Sequence, residues 1–202
     1  MIDFVATFIF FFAVIDPIGT IPVFIAVTGR FDDRTKRGIA VKATLVAGAI
    51  LLFFVAAGEV ILSAMAVPLP AFQIAGGIVL FLFALSMIFG ESKPEQEVKL
   101  AVSSSETAIF PLAIPSIAGP GAILAAVLMT ENADNSLIEQ VQTAGMMLAV
   151  LVIVLVLLLG ASWIHRLIGS GGASIVSRVM GLILASVATA NVLAGIREYF
   201  SL

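Results

Sequence analysis

The 202-residue chain contains no cysteine and only one histidine. The lack of cysteine excludes disulfides and thiolate-ligated zinc or iron–sulfur centres, and a single histidine excludes a His-rich metal site. We therefore expect no metal and no other cofactor. Charge is also scarce: 10 Lys and Arg residues against 13 Asp and Glu residues leave no basic surface of the size that nucleic acids require.

Apolar residues make up 61% of the chain and charged residues only 11%. Soluble domains average about 25% charged residues, so this composition indicates a chain that lies in a lipid bilayer. One crossing needs about 20 apolar helical residues. We predict an all-α polytopic membrane protein with six transmembrane helices, at residues 2–28, 39–62, 71–89, 107–129, 144–167 and 177–196. The alternation typical of transmembrane barrels is missing, since residues 146–159 are all apolar.

The positions of Lys and Arg predict the orientation of these spans. If the N-terminus lies outside the cytoplasm, every basic residue except Arg197 falls in an inner loop or at an inner span end. Cytoplasmic loops of membrane proteins are enriched in Lys and Arg. We therefore predict a multi-pass protein of a bacterial or archaeal cell membrane, with both termini outside the cytoplasm.

Two of the spans are interrupted by proline and glycine. Residues 15–22 of span 1 read IDPIGTIP, and residues 114–121 of span 4 read IPSIAGPG. Proline removes a backbone donor and disrupts the preceding turn, while glycine adopts conformations that other residues resist. Two prolines with glycine near mid-span predict an unwound segment in each span. Unwound backbone in a membrane must be buried in protein or line a wet cavity.

The two breaks occupy matching positions in the two halves of the chain. One constant shift superposes Pro17 on Pro115 and Pro22 on Pro120. Three spans in each half is an odd number, so the halves must have opposite orientations in the membrane. We predict a single transmembrane domain over residues 1–202, built as two inverted three-helix repeats. Repeat 1 covers about 1–90, a linker about 91–106, and repeat 2 about 107–202.

Inverted repeats with paired broken helices are the recurring plan of secondary transporters, which bind substrate where the breaks meet. The N-terminal end of a half-helix attracts a carboxylate, and the C-terminal end attracts an ammonium group. An α-amino acid carries both charges, and the glycines leave room for a small one. We assign substrate binding to the residues of the two breaks, namely Asp16, Pro17, Gly19, Thr20, Pro115, Ser116, Gly119, Pro120 and Gly121.

Two polar residues within spans allow more than one interpretation. Asp16 is the only acid well inside a predicted span; it is either a site for an ammonium group, a cation or a proton, or a cap for the half-helix that begins beside it. The two roles are compatible. Asn191 in span 6 either lines the pocket or, as we favour, bonds to neighbouring helices.

The sequence does not carry the motifs of enzymes that work inside membranes. An aspartyl protease needs two acids in one site, and a zinc protease needs two histidines in its His-Glu-x-x-His motif. A Gly-x-x-x-x-Gly-Lys phosphate loop is also missing. We expect no enzymatic activity and assign no catalytic residue.

Three segments carry a resemblance to a known family. Residues 16–24, 75–78 and 114–123 resemble the motifs of the MarC family of integral membrane proteins, and the likeness extends over essentially the whole chain. MarC-like proteins are similar to the neutral amino acid transporter SnatA, whose characteristic substrates are glycine and alanine. The resemblance implies a proton or cation gradient as the driving force. It also implies a binding region at the motif positions Asp16, Gly19, Thr20, Ser116, Gly119 and Gly121.

The leading interpretation is an inner-membrane secondary transporter that holds a small neutral amino acid between the breaks of spans 1 and 4. Its other partners are a coupling proton or sodium ion and the lipid bilayer. Two alternatives remain: a small-cation channel or permease that uses Asp16 and freed carbonyls, and a membrane factor that transports nothing and binds partners.

Overall fold

The computed structural model describes residues 3–89, 104–131 and 136–201, apart from the side chains of residues 165–170, 173 and 176. All regular secondary structure in this part of the chain is helical. The helices are α1 Phe4–Ile15, α2 Thr20–Thr28, α3 Asp33–Ala64, α4 Leu69–Phe89, α5 Ser104–Thr107, α6 Ala108–Ile117, α7 Pro120–Leu128, α8 Leu137–Leu159 and α9 Ala161–Tyr199. Helix α6 has the wide hydrogen-bonding pattern of a π-helix.

The helices supply the spans that the sequence predicts. Five stretches are long and apolar enough to cross a bilayer, namely Phe4–Thr28, Asp33–Ala64, Leu69–Phe89, Leu137–Leu159 and Ser177–Tyr199. The sixth span is a bent pair, in which Ser104–Ile117 and Pro120–Leu128 meet at 59°. The predicted all-α polytopic fold is therefore confirmed, with six spans when the bent pair counts as one.

Some predicted boundaries are wrong. The sequence predicts that span 5 continues to Leu167, but α8 ends at Leu159 and α9 begins just after Gly160. The apolar composition continues through this glycine, so composition alone does not mark the end of the helix. Most of the predicted linker 91–106 lies outside the described residues, and helix resumes at Ser104.

The packing pairs the two halves of the chain. Helix α4 packs along α9, and α3 packs on α8. The contact of α1 with α8 has its counterpart in that of α6 with α3, and the contact of α7 with α4 in that of α2 with α9. This set of contacts is unchanged when spans 1, 2 and 3 are exchanged for spans 4, 5 and 6. It is consistent with the predicted inverted repeat.

The α4–α9 contact shows the same relation in detail. A Cβ on Gly77 would lie 3.1 Å from the carbonyl oxygen of Ala188, and one on Gly181 would lie 3.0 Å from that of Ala84. The shift along the chain from Gly77 to Gly181 also carries Ala84 onto Ala188. The two antiparallel helices therefore approach each other through equivalent glycines. Small residues are what such close packing in membranes requires.

Candidate functional site

Span 1 is interrupted between α1 and α2. Pro17 has no N–H to donate to the carbonyl of Ala13, so the α1 hydrogen-bond pattern cannot continue. Asp16 turns the chain in the left-handed conformation, with φ 51° and ψ 65°, which Asp tolerates better than most residues. Helix α2 then begins at Thr20. The first predicted break is therefore present in the structure, and its two pieces together form one span.

Asp16 closes this break with both its side chain and its backbone. Its Oδ1 accepts the N–H of Gly19 at 3.0 Å. Its carbonyl oxygen accepts the N–H of Thr20 at 3.1 Å and the hydroxyl of Thr20 at 3.0 Å. Asp16 is buried, with 4% of its surface exposed. The amides at the start of α2 are thus satisfied within the chain, and the Thr20 hydroxyl proton is already donated.

Span 4 is interrupted over a longer stretch. Phe110 and Ile114 have extended backbones, with φ/ψ of −129°/123° and −128°/127°. Each precedes a proline, Pro111 or Pro115, and a residue before proline is driven out of the helical region. The N–H of Ala118 donates to a carbonyl five residues back, at 2.8 Å. Sequence reasoning missed the first part of this break, although Pro111 was a visible signal for it.

The start of α7 is left uncapped. Gly119 precedes it with an extended backbone, φ −78° and ψ 172°, and provides no side-chain cap. The first amide with a partner is that of Ile123, which donates to the carbonyl of Gly119 at 3.0 Å. By the geometry of a helix start, the N–H groups of Gly121 and Ala122 have no partner within α7. Both residues are buried.

Ser116 lies in the same break and has a buried hydroxyl. Only 7% of the residue is exposed. Among the described residues, its Oγ is the one buried side-chain nitrogen or oxygen without a hydrogen-bond partner. Leaving such a group unsatisfied costs about 1–3 kcal/mol. A ligand or a water molecule that bonds to this hydroxyl would remove that cost.

The two breaks face each other. Helix α1 packs against α7, and α2 packs against α6. Since α1–α2 and α6–α7 each form one interrupted span, this pairing indicates that the two spans run antiparallel and that their breaks lie at similar levels. In this arrangement the carbonyl end of α1 and the uncapped amide start of α7 both lie at the level of the breaks. These ends carry opposite partial charges of about half an elementary charge each.

The structure brings the predicted residues of 16–20 and 115–121 into this pair of breaks, but Asn191 behaves differently. It lies on α9, and its Nδ2 donates to the carbonyl of Val187 at 3.1 Å, one turn back on the same helix. Within the described part of the chain, no group of three or more His, Asp or Glu side chains is arranged to hold a metal ion.

Comparison with known proteins agrees with this architecture. Residues 1–200 match the MarC family of integral membrane proteins. The chain is 36% identical over 197 residues to a UPF0056 membrane protein of Methanocaldococcus jannaschii, with 96% of each chain covered. It is 34% identical over 198 residues to a UPF0056 membrane protein of Archaeoglobus fulgidus, covering 96% of this chain and 92% of the relative.

A bacterial relative carries a more specific name. The UPF0056 inner membrane protein YhgN of Escherichia coli (strain K12) is 33% identical over 202 residues, with 98% of each chain covered. No solved structure matches the chain. Both the family match and the relatives extend over nearly its full length. The chain is therefore a multi-pass integral membrane protein that belongs to the MarC family.

Proposed function

We propose that this protein is a secondary transporter that moves small neutral amino acids, such as glycine and alanine, across the inner membrane. One observation carries the proposal: the buried Ser116 hydroxyl and the uncapped start of α7 lie in one break, opposite the carbonyl end of α1. Paired broken helices of this kind hold substrates in transporters with inverted repeats.

The polar groups of the site suit the two charges of an amino acid. The N–H groups of Gly121 and Ala122, with the hydroxyl of Ser116, can all donate to a substrate carboxylate. On the facing side, the last carbonyls of α1 can accept from a substrate ammonium group. Two of these carbonyls lack their usual helical donor. Pro17 has no N–H for the carbonyl of Ala13, and the N–H of Gly19, which in a continuous helix would donate to the last carbonyl of α1, donates to the side chain of Asp16 instead.

The relation between the two halves supports a transport mechanism. In inverted repeats, one half rocks against the other around a fixed site, so the site opens to each side in turn. Asp16 is the buried acid at the break, and we propose it as the residue through which a proton or cation gradient is coupled. We also propose that both termini lie outside the cytoplasm, in accordance with the distribution of Lys and Arg.

A second candidate is a small-cation permease. The buried carboxylate of Asp16 favours it, since a carboxylate and backbone carbonyls are ligands that hard cations prefer. The uncapped amides of α7 argue for the amino acid instead, because N–H donors repel a cation, whereas the hydroxyl oxygen of Ser116 can bind either ligand.

Counterflow in proteoliposomes tests the proposal. Vesicles loaded with unlabelled glycine should accumulate labelled glycine without any ion gradient. Gly119→Leu should stop this exchange, since a Cβ at this position would lie 2.7 Å from the carbonyl oxygen of Pro115. Gly145→Leu is the matched control, because a Cβ there meets no atom within 4 Å. Gradient-driven ion current without exchange would instead support the permease, and neither activity would point to a non-transporting factor.

A further inference from the structure

Leu80 of α4 lies beside the first turn of α7. A Cβ on Gly121 would stand only 2.5 Å from the Cδ1 of Leu80, so the leucine side chain occupies the space that residue 121 leaves open. Leu80 is fully enclosed, with 1% of its surface exposed. Gly121 is also the first residue of α7 with an N–H, because Pro120 has none. The isobutyl group of Leu80 is therefore a neighbour of the open amides.

A reciprocal contact fixes Leu80 in this position. One turn earlier on α4, a Cβ on Gly76 would lie 2.7 Å from the Cδ1 of Leu124 on α7. Leu80 therefore fits over the glycine of α7, and Leu124 fits over the glycine of α4. Two such contacts set both the register and the separation of the helices. Each leucine side chain is thereby in close contact with the backbone of the facing helix.

We propose that Leu80 determines the largest side chain that the substrate can carry. This inference rests on the proposed function. If the substrate carboxylate binds the amides of Gly121 and Ala122 and the unpartnered hydroxyl of Ser116, its α-carbon lies next to the first turn of α7. Leu80 then borders the α-substituent, and because only 1% of Leu80 is exposed, this substituent must fit against its side chain or displace it. A hydrogen atom or a methyl group requires less displacement than a branched side chain does.

The test compares substrates within one variant. Counterflow of labelled glycine, alanine and valine is measured for the wild type, Leu80→Ala and Leu80→Phe. We expect Leu80→Ala to raise the valine-to-glycine rate ratio at least about tenfold, since one methylene in an apolar pocket changes selectivity by about 10- to 200-fold. Leu80→Phe should lower the alanine-to-glycine ratio. Leu80→Val, which removes one methylene, provides the same test if Leu80→Ala does not yield folded protein.

Two leucines of α4 and α8 serve as matched controls. Leu82 is 61% exposed on the outer surface of the bundle, and Leu158 is 1% exposed near the end of α8. Neither Leu82→Ala nor Leu158→Ala should change the substrate ratios. Unchanged ratios in all Leu80 variants would overturn the inference while leaving the proposed function intact. An equal shift in Leu158→Ala would also overturn it, because the effect would then reflect general loosening. A wild type that exchanges no glycine overturns the proposed function itself.

Discussion

The carboxylate of Asp16 occupies the space that a side chain on Gly19 would need. A Cβ built on Gly19 would lie 1.9 Å from Oδ2 of Asp16 and 2.6 Å from its Cγ. The backbone of Gly19 is ordinary and right-handed, with φ −68° and ψ −19°. Glycine is required here for its lack of a side chain, because only then can the carboxylate reach the N–H of residue 19.

Gly19→Ala should therefore expel the carboxylate from its position. We expect loss of the Asp16 cap, which lowers the free energy of unfolding by about 1 kcal/mol or more, and loss of most glycine counterflow. Thermal unfolding in detergent and counterflow in proteoliposomes measure the two effects. Gly38→Ala is the control, since its added Cβ would meet no atom within 4 Å. Normal stability and exchange in Gly19→Ala would show that the carboxylate position is unimportant.

Two substitutions of Asp16 distinguish its role as a helix cap from the role of its negative charge. Asparagine tolerates the left-handed conformation, and its side-chain oxygen can still accept the N–H of Gly19. Alanine loses the cap, worth about 0.5–2 kcal/mol, and adopts a positive φ at a cost of about 1–2 kcal/mol. We expect Asp16→Asn to retain thermal stability but lose exchange, and Asp16→Ala to lose both. Full exchange together with full gradient-driven glycine uptake in Asp16→Asn would reduce Asp16 to a structural cap.

Ser116→Ala should change stability and binding in opposite directions. Its hydroxyl is buried without a partner, so removing it relieves a cost of about 1–3 kcal/mol in the ligand-free protein. The melting temperature without substrate should therefore stay the same or rise. Hydrogen bonds to charged groups contribute about 1.5–3 kcal/mol, so the half-saturating glycine concentration should rise about tenfold or more. Ser186→Ala, whose exposed hydroxyl donates to Leu182, should change neither. A destabilised Ser116→Ala with normal affinity would contradict the site.

The sequence was sufficient for the helical fold, for the break of span 1 and for the second part of the break of span 4, because each rests on a local physical rule. Apolar runs of span length must be helical in lipid, and Pro17 and Pro115 disrupt hydrogen bonding wherever they lie in a helix. The end of α8 at Leu159 was not predictable in this way. Apolar residues continue on both sides of Gly160, and the turn there depends on how α8 and α9 pack.

The difference between the two breaks originates in the sequence. The shift that places Pro17 on Pro115 places Asp16 on Ile114, which has no group to cap a helix. Span 1 therefore closes its own break through Asp16, whereas Gly119, the residue before α7, has no side chain that could cap the first amides of that helix. The sequence could not predict that the Ser116 hydroxyl has no hydrogen-bond partner, since this depends on tertiary contacts.

The absence of cysteine makes the proposed orientation simple to test, because each introduced cysteine is the only thiol in the chain. Met65, between α3 and α4, is 68% exposed, and Asp33 begins α3 at the other end of the same helix. With both termini outside, Met65→Cys and Ser201→Cys should react with a membrane-impermeant maleimide in intact cells. Asp33→Cys should react only after the cells are permeabilised.

The basis of this expectation is the excess of Lys and Arg before and within the first turns of α3, which favours retention of that end in the cytoplasm. The cysteine-free parent is the background control, and labelling after permeabilisation shows that each thiol is present and reactive. If only Asp33→Cys reacts in intact cells, the orientation is the reverse of the one proposed. If Met65→Cys and Ser201→Cys lie on different sides, the α3–α4 loop and the C-terminus are separated by an odd number of spans, which contradicts the six-span topology.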